Sequence, residues 1–262
     1  MDKSRFSIVI PAYNEESRIV HTIREVARTF DRISPSGYEI IVVDDCSTDG
    51  TLSRLNELKK IYPQLIVVRN KKNFGKGRAL KYALRFCSYE YIVWLDADLD
   101  IHPLGVEVLF DIMQMDNADI AIGSKMHPNS VVDYPFKRRI VSYGYYIFIR
   151  ILFDLPCHDT QTGLKIFKRE ALEKVFKRVL VKKFAFDLEV LVNAHRLGYK
   201  ITEGPIILNH KSKYHGIGLR SVFTTAWDTL AVFWRVYFLR YYDHIDYYRR
   251  KNMAKEFRRV RR

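Results

Sequence analysis

Three carboxylates, Asp96, Asp98 and Asp100, alternate at the end of an apolar run from Tyr91 to Leu95. Acidic residues are disfavoured inside strands, so such a cluster at a strand's carboxyl end has a cause. Closely spaced carboxylates repel one another unless a cation neutralises them, and magnesium or manganese prefers hard oxygen ligands. This pattern suits a divalent metal holding a diphosphate. It also suits a plain acidic turn that caps a helix starting near Pro103. Three further polar segments bear on that choice. Pro11-Ala12-Tyr13-Asn14-Glu15-Glu16 follows one apolar run, and Asp44-Asp45 end another before the turn and cap Cys46-Ser47-Thr48-Asp49-Gly50-Thr51. Asp44 and Asp45 also fit simple capping roles. Asn73-Phe74-Gly75-Lys76-Gly77 follows a third run, and Lys76 between two glycines can reach an anion that backbone amides approach closely. The spacing is not that of a Walker A loop, and no Gly-x-Gly-x-x-Gly follows the first run.

The elements that position these residues read as short strands at Phe6–Ile10, Glu39–Val43, Leu65–Val68, Tyr91–Leu95 and Ile120–Ile122. Between them, Ile19, Ile23, Val26, Ala27 and Phe30 recur at helical spacing, as do Leu52, Leu55, Leu58 and Ile61. Strands alternating with such helices predict parallel βαβ units, an α/β chain with a mainly parallel central sheet. Parallel strands would bring all four polar segments to one sheet edge, where open α/β sheets bind ligands.

At 262 residues the chain suits one large domain or two small ones. Its three cysteines, Cys46, Cys87 and Cys157, form no Cys-x-x-Cys pair, which argues against a zinc site or a disulfide framework. The start of the chain turns polar after six residues, too soon for a signal-peptide core or a membrane span. The net charge of +14 is uneven: residues 1–130 carry 17 basic and 18 acidic side chains, residues 131–262 carry 27 and 12. A basic face can meet nucleic acid, anionic lipid or an anionic substrate.

Two long helical patterns mark the second half. Phe136 to Phe153 mixes aromatics with Arg138, Arg139 and Arg150, and Leu219 to Tyr242 places Trp227, Phe233 and Trp234 on a broad apolar face. Both suit helices lying in a membrane interface, although the second equally suits a helix packed on the core. The tail Arg249 to Arg262 carries eight basic residues against one acid, and such residues contribute ~1 kcal/mol each near anionic lipid. On a helix Arg138 and Ser142 share a face and can grip one phosphate together; the alternative is a solvated charge. The tail also mixes aromatics and cations as single-strand binders do. No nucleic-acid recognition motif accompanies it, and the acidic strand-end edge would repel phosphate backbones, so no nucleic-acid partner is expected.

The four strand-end segments, together with Ala79, occur in the order and spacing of glycosyltransferase family 2, which this chain resembles over residues 6–215. It is most similar to the polyprenyl-phosphate hexosyltransferases, the dolichyl-phosphate glucose and mannose synthases. Asp159-Thr160-Gln161-Thr162-Gly163-Leu164-Lys165-Ile166-Phe167 and Phe184-Ala185-Phe186-Asp187-Leu188-Glu189 lean toward the glucose branch. The resemblance implies a GT-A fold in residues 1–215, with an amphipathic interface helix and basic tail in 216–262. It implies an inverting, Mg2+- or Mn2+-dependent hexose transfer from UDP-glucose or GDP-mannose to a dolichyl or other polyprenyl phosphate. The enzyme would sit peripherally on the cytoplasmic side of an anionic membrane, with no transmembrane span.

By similarity, Pro11, Tyr13, Glu15, Val43 and Asp45 would contact the nucleoside, with Lys76 and Ala97 also on the donor. Asp96 and Asp98 would flank the diphosphate, with Asp98 and Asp100 on the metal and Lys213 closing over the site as a catalytic cation. Lys125, Arg138 and Ser142 would receive the acceptor phosphate. Cys46 stands where relatives commonly have Gly, which bears on the shape of that loop. A lipid phosphate needs little general-base help, whereas a sugar hydroxyl, the alternative acceptor, would need a base. Asp159, Asp187 and Glu189 would then be the candidates; otherwise they position loops.

Overall fold

The strand and helix patterns of the first half fold in order: β1 (Phe6–Ala12), α1 (Ile19–Ile33), β2 (Tyr38–Asp44), α2 (Thr51–Leu58), β3 (Leu65–Arg69), α3 (Lys76–Ala83), β4 (Tyr91–Trp94), α4 (Gly105–Met115) and β5 (Ile120–Ser124). The second half adds β6 (Val131–Val132), α5 (Phe136–Phe153), β7 (Lys165–Lys168), α6 (Arg169–Phe176), α7 (Phe186–Arg196), β8 (Ile201–Pro205), β9 (Ile207–Leu208) and α8 (Leu219–Tyr237). The computed structural model describes residues 4–132, 136–180, 185–208 and 219–244, and only the backbone of 136–139 and 219–223.

Seven strands form the main sheet in the order β3-β2-β1-β4-β7-β5-β8. The first four are mutually parallel, and Ala12 pairs with Asp44, so β1 and β2 end level. Side chains alternate between faces. Phe6, Ile8 and Ile10 pack with α1 and α4 on one side; Val9, Ile41, Val43 and Trp94 face α3, α6 and α7 on the other. With both faces covered, these strands read as continuous apolar runs.

Two sequence expectations change. Ile61, the last position of the second apolar stripe, is 64% exposed because α2 ends at Leu58. β7 was not foreseen: it enters antiparallel between β4 and β5, setting Trp94 opposite Lys165. Its four residues are too few to show a periodicity.

α8 buries Val232 and Val236 in the same core as α6 and α7, so the core-helix alternative holds for one face. Its other face leaves Trp227 74% and Trp234 52% exposed. α5 likewise buries Tyr146, Ile149 and Phe153 while Ile140, Ile147 and Ile151 point outward. A hydrogen bond of 3.0 Å between the Tyr145 and Thr229 hydroxyls joins the two helices. Among the described residues no helix is long and apolar enough to cross a membrane.

Candidate active site

The loops after β1 and β2 are stitched to each other. The Asn14 amide donates to Ser47 Oγ (3.0 Å), the Thr48 amide to Asn14 Oδ1 (2.9 Å), the Glu15 amide to Thr51 Oγ1 (2.8 Å) and the Gly50 amide to Glu16 Oε2 (2.9 Å). Buried Asp44 accepts the Ser47 amide at 3.1 Å and lies 3.3 Å from Arg69 Nε. Asp45 accepts the amides of Phe74 (3.0 Å) and Gly75 (2.6 Å) and the side-chain amide of Asn70 (2.6 Å). It therefore holds the third loop against the second. Gly75, at φ +91°, turns that loop into α3 so that Lys76 opens the helix. Cys46 takes φ +65°, the left-handed geometry that favours glycine, so the loop keeps a glycine-like shape at some backbone cost.

Two clefts meet at the end of β4. The first, about 360 Å³, has Pro11, Tyr13 and Glu15 on one wall, Asp45 and Lys76 on another, and Asp96, Ala97 and Asp98 as its floor. The second, about 230 Å³, is lined by Asp100, Lys125, Gln161 and Gly163 and shares Asp96 and Asp98 with the first. Lys76 Nζ lies 2.5 Å from Asp96 Oδ1. Burial disfavours the Asp96 anion, but Lys76 outweighs it and holds the carboxyl below the usual aspartate range. Asp98 moves the other way: burial first, then the Asp96 charge, raises its affinity for a proton. Burial also raises Glu15, against the opposing pull of Arg18 at 2.9 Å.

On the far side of the second cleft, Lys125 Nζ is 2.9 Å from Asp159 Oδ2, and the Lys125 amide donates to the same oxygen at 3.0 Å. Burial opposes ionisation of Asp159, yet Lys125 holds its carboxyl below the ordinary value. Behind it, fully buried Lys165 pairs with Asp187 at 2.6 Å. The loop between these pairs presses on the floor: a Cβ at Gly163 would lie 2.1 Å from Asp96 Oδ2.

Residues 7–176 match the family model for glycosyl transferase family 2. The chain belongs to this family. It is 30% identical over 215 residues to a dolichyl-phosphate beta-glucosyltransferase of Dictyostelium discoideum, covering 78% of this chain and 66% of that one. It is 29% identical over 231 residues to the glycosyltransferase AglD of Haloferax volcanii, covering 88% of this chain but 37% of that protein. The chain thus spans from about a third to two thirds of the length of these curated relatives. Glucosyl-3-phosphoglycerate synthase of Mycobacterium tuberculosis, solved with Mn2+, uridine diphosphate and phosphoglyceric acid, superposes with a TM-score of 0.66 at 21% identity, covering 88% of this chain and 78% of that one. The fold is of the GT-A type.

Within this family 2 fold, Pro11, Tyr13, Glu15, Asp45, Lys76, Asp96, Ala97 and Asp98 line one cleft. Asp100 and Lys125 line the adjoining one. The Val43 side chain is fully buried in the α3-side core and lines neither cleft, one position before the Asp44-Asp45 pair. Ser142 sits half-buried on α5; Arg138 lies on the same helix, its side chain outside the described residues. Lys213 and the tail from Arg249 also lie outside them. Sequence reasoning missed Gln161 and Gly163 as wall residues and Lys165 as a buried cation. Their signal was the Asp159-to-Phe167 motif, whose place in the sheet depends on β7.

A divalent metal fits the floor. Asp98, pushed toward its protonated form by burial and by the Asp96 charge, is an acid that a cation would relieve, and Asp98 and Asp100 line the second cleft with oxygen donors. Among the described residues no group of three or more acidic, histidine or cysteine side chains forms a ready metal cage. Magnesium suits that arrangement, since it commonly takes one or two carboxylates and completes its shell with phosphate oxygens and water.

Proposed function

We propose that this chain transfers a hexose, with inversion, from a nucleotide-diphosphate sugar to a polyprenyl phosphate at the cytoplasmic face of a membrane. The observation that carries the reading is the meeting of two clefts over one pair of carboxylates, Asp96 and Asp98, with a lysine on each side. The first cleft takes the nucleoside between Tyr13 and the Asp45-braced loop, and Lys76 meets the diphosphate. Asp98 and Asp100 would hold Mg2+ or Mn2+, which when bound supplies positive charge to the leaving diphosphate.

An acceptor phosphate oxygen attacks the anomeric carbon as its bond to the diphosphate oxygen breaks, and the electron pair leaves with the nucleoside diphosphate. The acceptor is already an anion, so no side chain has to remove a proton. The chain's task is to hold two anions in line. Lys125, Arg138 and Ser142 receive the acceptor phosphate, and Lys213 closes on the donor. Asp159, Asp187 and Glu189 then position the basic residues and α8.

UDP-glucose is the donor we favour, supported by the glucosyltransferase names among the relatives and the uridine diphosphate in the structural neighbour. The exposed apolar faces of α5 and α8 support a peripheral seat on the membrane. Asp98→Asn should abolish metal-dependent UDP-glucose turnover and lower Mn2+-dependent UDP binding measured by calorimetry. Unchanged values for both would remove the metal assignment. Trp227→Ser with Trp234→Ser should weaken flotation on anionic vesicles, and undiminished flotation would remove the proposed seat.

A further inference from the structure

A cleft of about 710 Å³ lies between α3 and α6 and shares no lining residue with the two clefts at the strand ends. Its walls carry Arg78, Lys81, Arg85, Arg169 and Lys177, and Glu173 is the one acid among the described residues that line it. Five cations gathered round one carboxylate repel one another unless an anion joins them. Neutral groups help to hold four of these side chains. The Arg78 guanidinium lies 4.2 Å over the Phe74 ring and that of Arg85 5.7 Å from the Tyr82 ring. Lys81 Nζ donates to the Val179 carbonyl at 2.9 Å. Arg169 donates to the Cys87 carbonyl and to Glu173 at 3.0 Å.

We propose that this cleft binds a phosphate-bearing anion, taken from an anionic phospholipid headgroup or from a soluble phosphate compound. Arginine forks match phosphate oxygens in pairs, and the Tyr82 and Phe176 walls reduce the water that would screen the attraction. The cleft is on the same side of the sheet as α8. Arg178, next to Lys177, donates to the Tyr242 carbonyl just beyond α8 at 3.0 Å. A headgroup met by the outward faces of α5 and α8 would therefore have a basic cleft on the same side of the molecule. The site stands whether or not the donor cleft takes a nucleotide sugar.

Calorimetry with inorganic pyrophosphate and the full chain, without divalent metal and at fixed ionic strength, tests it. Arg78→Gln with Arg85→Gln should weaken binding about tenfold or more, as loss of charge-assisted contacts requires, whereas Lys59→Gln with Lys60→Gln, two exposed charges outside every cleft described, should shift it by less than about twofold. Arg78→Lys with Arg85→Lys, which keeps the charge, should retain most of the binding. The site is overturned if the Arg78→Gln, Arg85→Gln protein binds like wild type, if Lys59→Gln with Lys60→Gln loses as much binding, or if Arg78→Lys with Arg85→Lys loses as much. Flotation then separates the sources. Pyrophosphate that displaces wild type but not the Arg78→Gln, Arg85→Gln protein from phosphatidylserine vesicles supports a lipid headgroup. Indifference of flotation to pyrophosphate, with calorimetric binding intact, supports a soluble phosphate.

Discussion

The two halves of the sheet edge position their polar residues by different means. On the β1–β4 side, the loops are joined by backbone amides donating to short side chains, as with Asp45 and the Phe74–Gly75 amides. On the β5–β8 side, lysines are set by carboxylate partners, Lys125 by Asp159 and Lys165 by Asp187. Amide-built loops keep their shape before any ligand arrives, which suits a preformed pocket for a nucleoside. Paired lysines stay oriented before an anion arrives, and the anion must compete with their partners. Under the proposed function, the donor side is a formed cradle and Lys125, on the acceptor side, a cation held in place by Asp159.

The contact between the halves, Gly163 against Asp96, is the place to break that arrangement. Gly163→Ala would drive its Cβ into the Asp96 carboxylate and pull it from Lys76. We expect a fall of roughly a hundredfold in kcat/KM, as displaced catalytic geometry commonly costs, with a melting temperature near wild type. Unaltered turnover would mean the two sides are not coupled through Asp96.

The anchoring of α8 to the second half gives the next effect. Glu189 is fully buried; it accepts from the Tyr242 hydroxyl and, at 2.9 Å, from the Leu180 amide, with Arg235 at 3.5 Å. Tyr242→Phe leaves that carboxylate short of a partner and should cost about 1–3 kcal/mol, read as a lower melting temperature.

Asp98 sharpens the comparison through pH. Burial and the Asp96 charge raise its proton affinity, so the folded chain binds its proton more tightly than the unfolded chain does. Stability contributed by this proton is present at low pH and lost as pH rises through the interval above the ordinary aspartate value. In a chelator, Asp98→Asn should therefore melt higher than wild type near neutral pH, and the gap should close as pH falls below that interval. The smallest effect is at Cys46. A left-handed L-residue costs ~1–2 kcal/mol, more than the ~0.4–1 kcal/mol that glycine adds through unfolded-state entropy. Cys46→Gly should raise stability by up to about 1 kcal/mol in denaturant melts.

The β1–β4 side was legible because each of its parallel strands is a continuous apolar run that ends at its own polar loop, whatever its place in the sheet. The acceptor side was less so. Lys165 reads as a surface charge until β7 is placed between β4 and β5, a pairing set by residues far apart in the chain. Asp45 was legible as a site residue, but its bonds to Asn70, Phe74 and Gly75 were not, because they join loops from different strands. At Val43 a motif position and a core position coincide, so the motif does not show where that side chain packs.

Under the proposed function, the paired clefts couple a nucleotide sugar to a lipid phosphate. Nucleoside diphosphate release, measured over a panel of donors with a short polyprenyl phosphate and Mg2+ or Mn2+, tests it most directly. Release from UDP-glucose should require both the metal and the lipid phosphate. Equal release with a water-soluble glycan and no gain from lipid phosphate would contradict it.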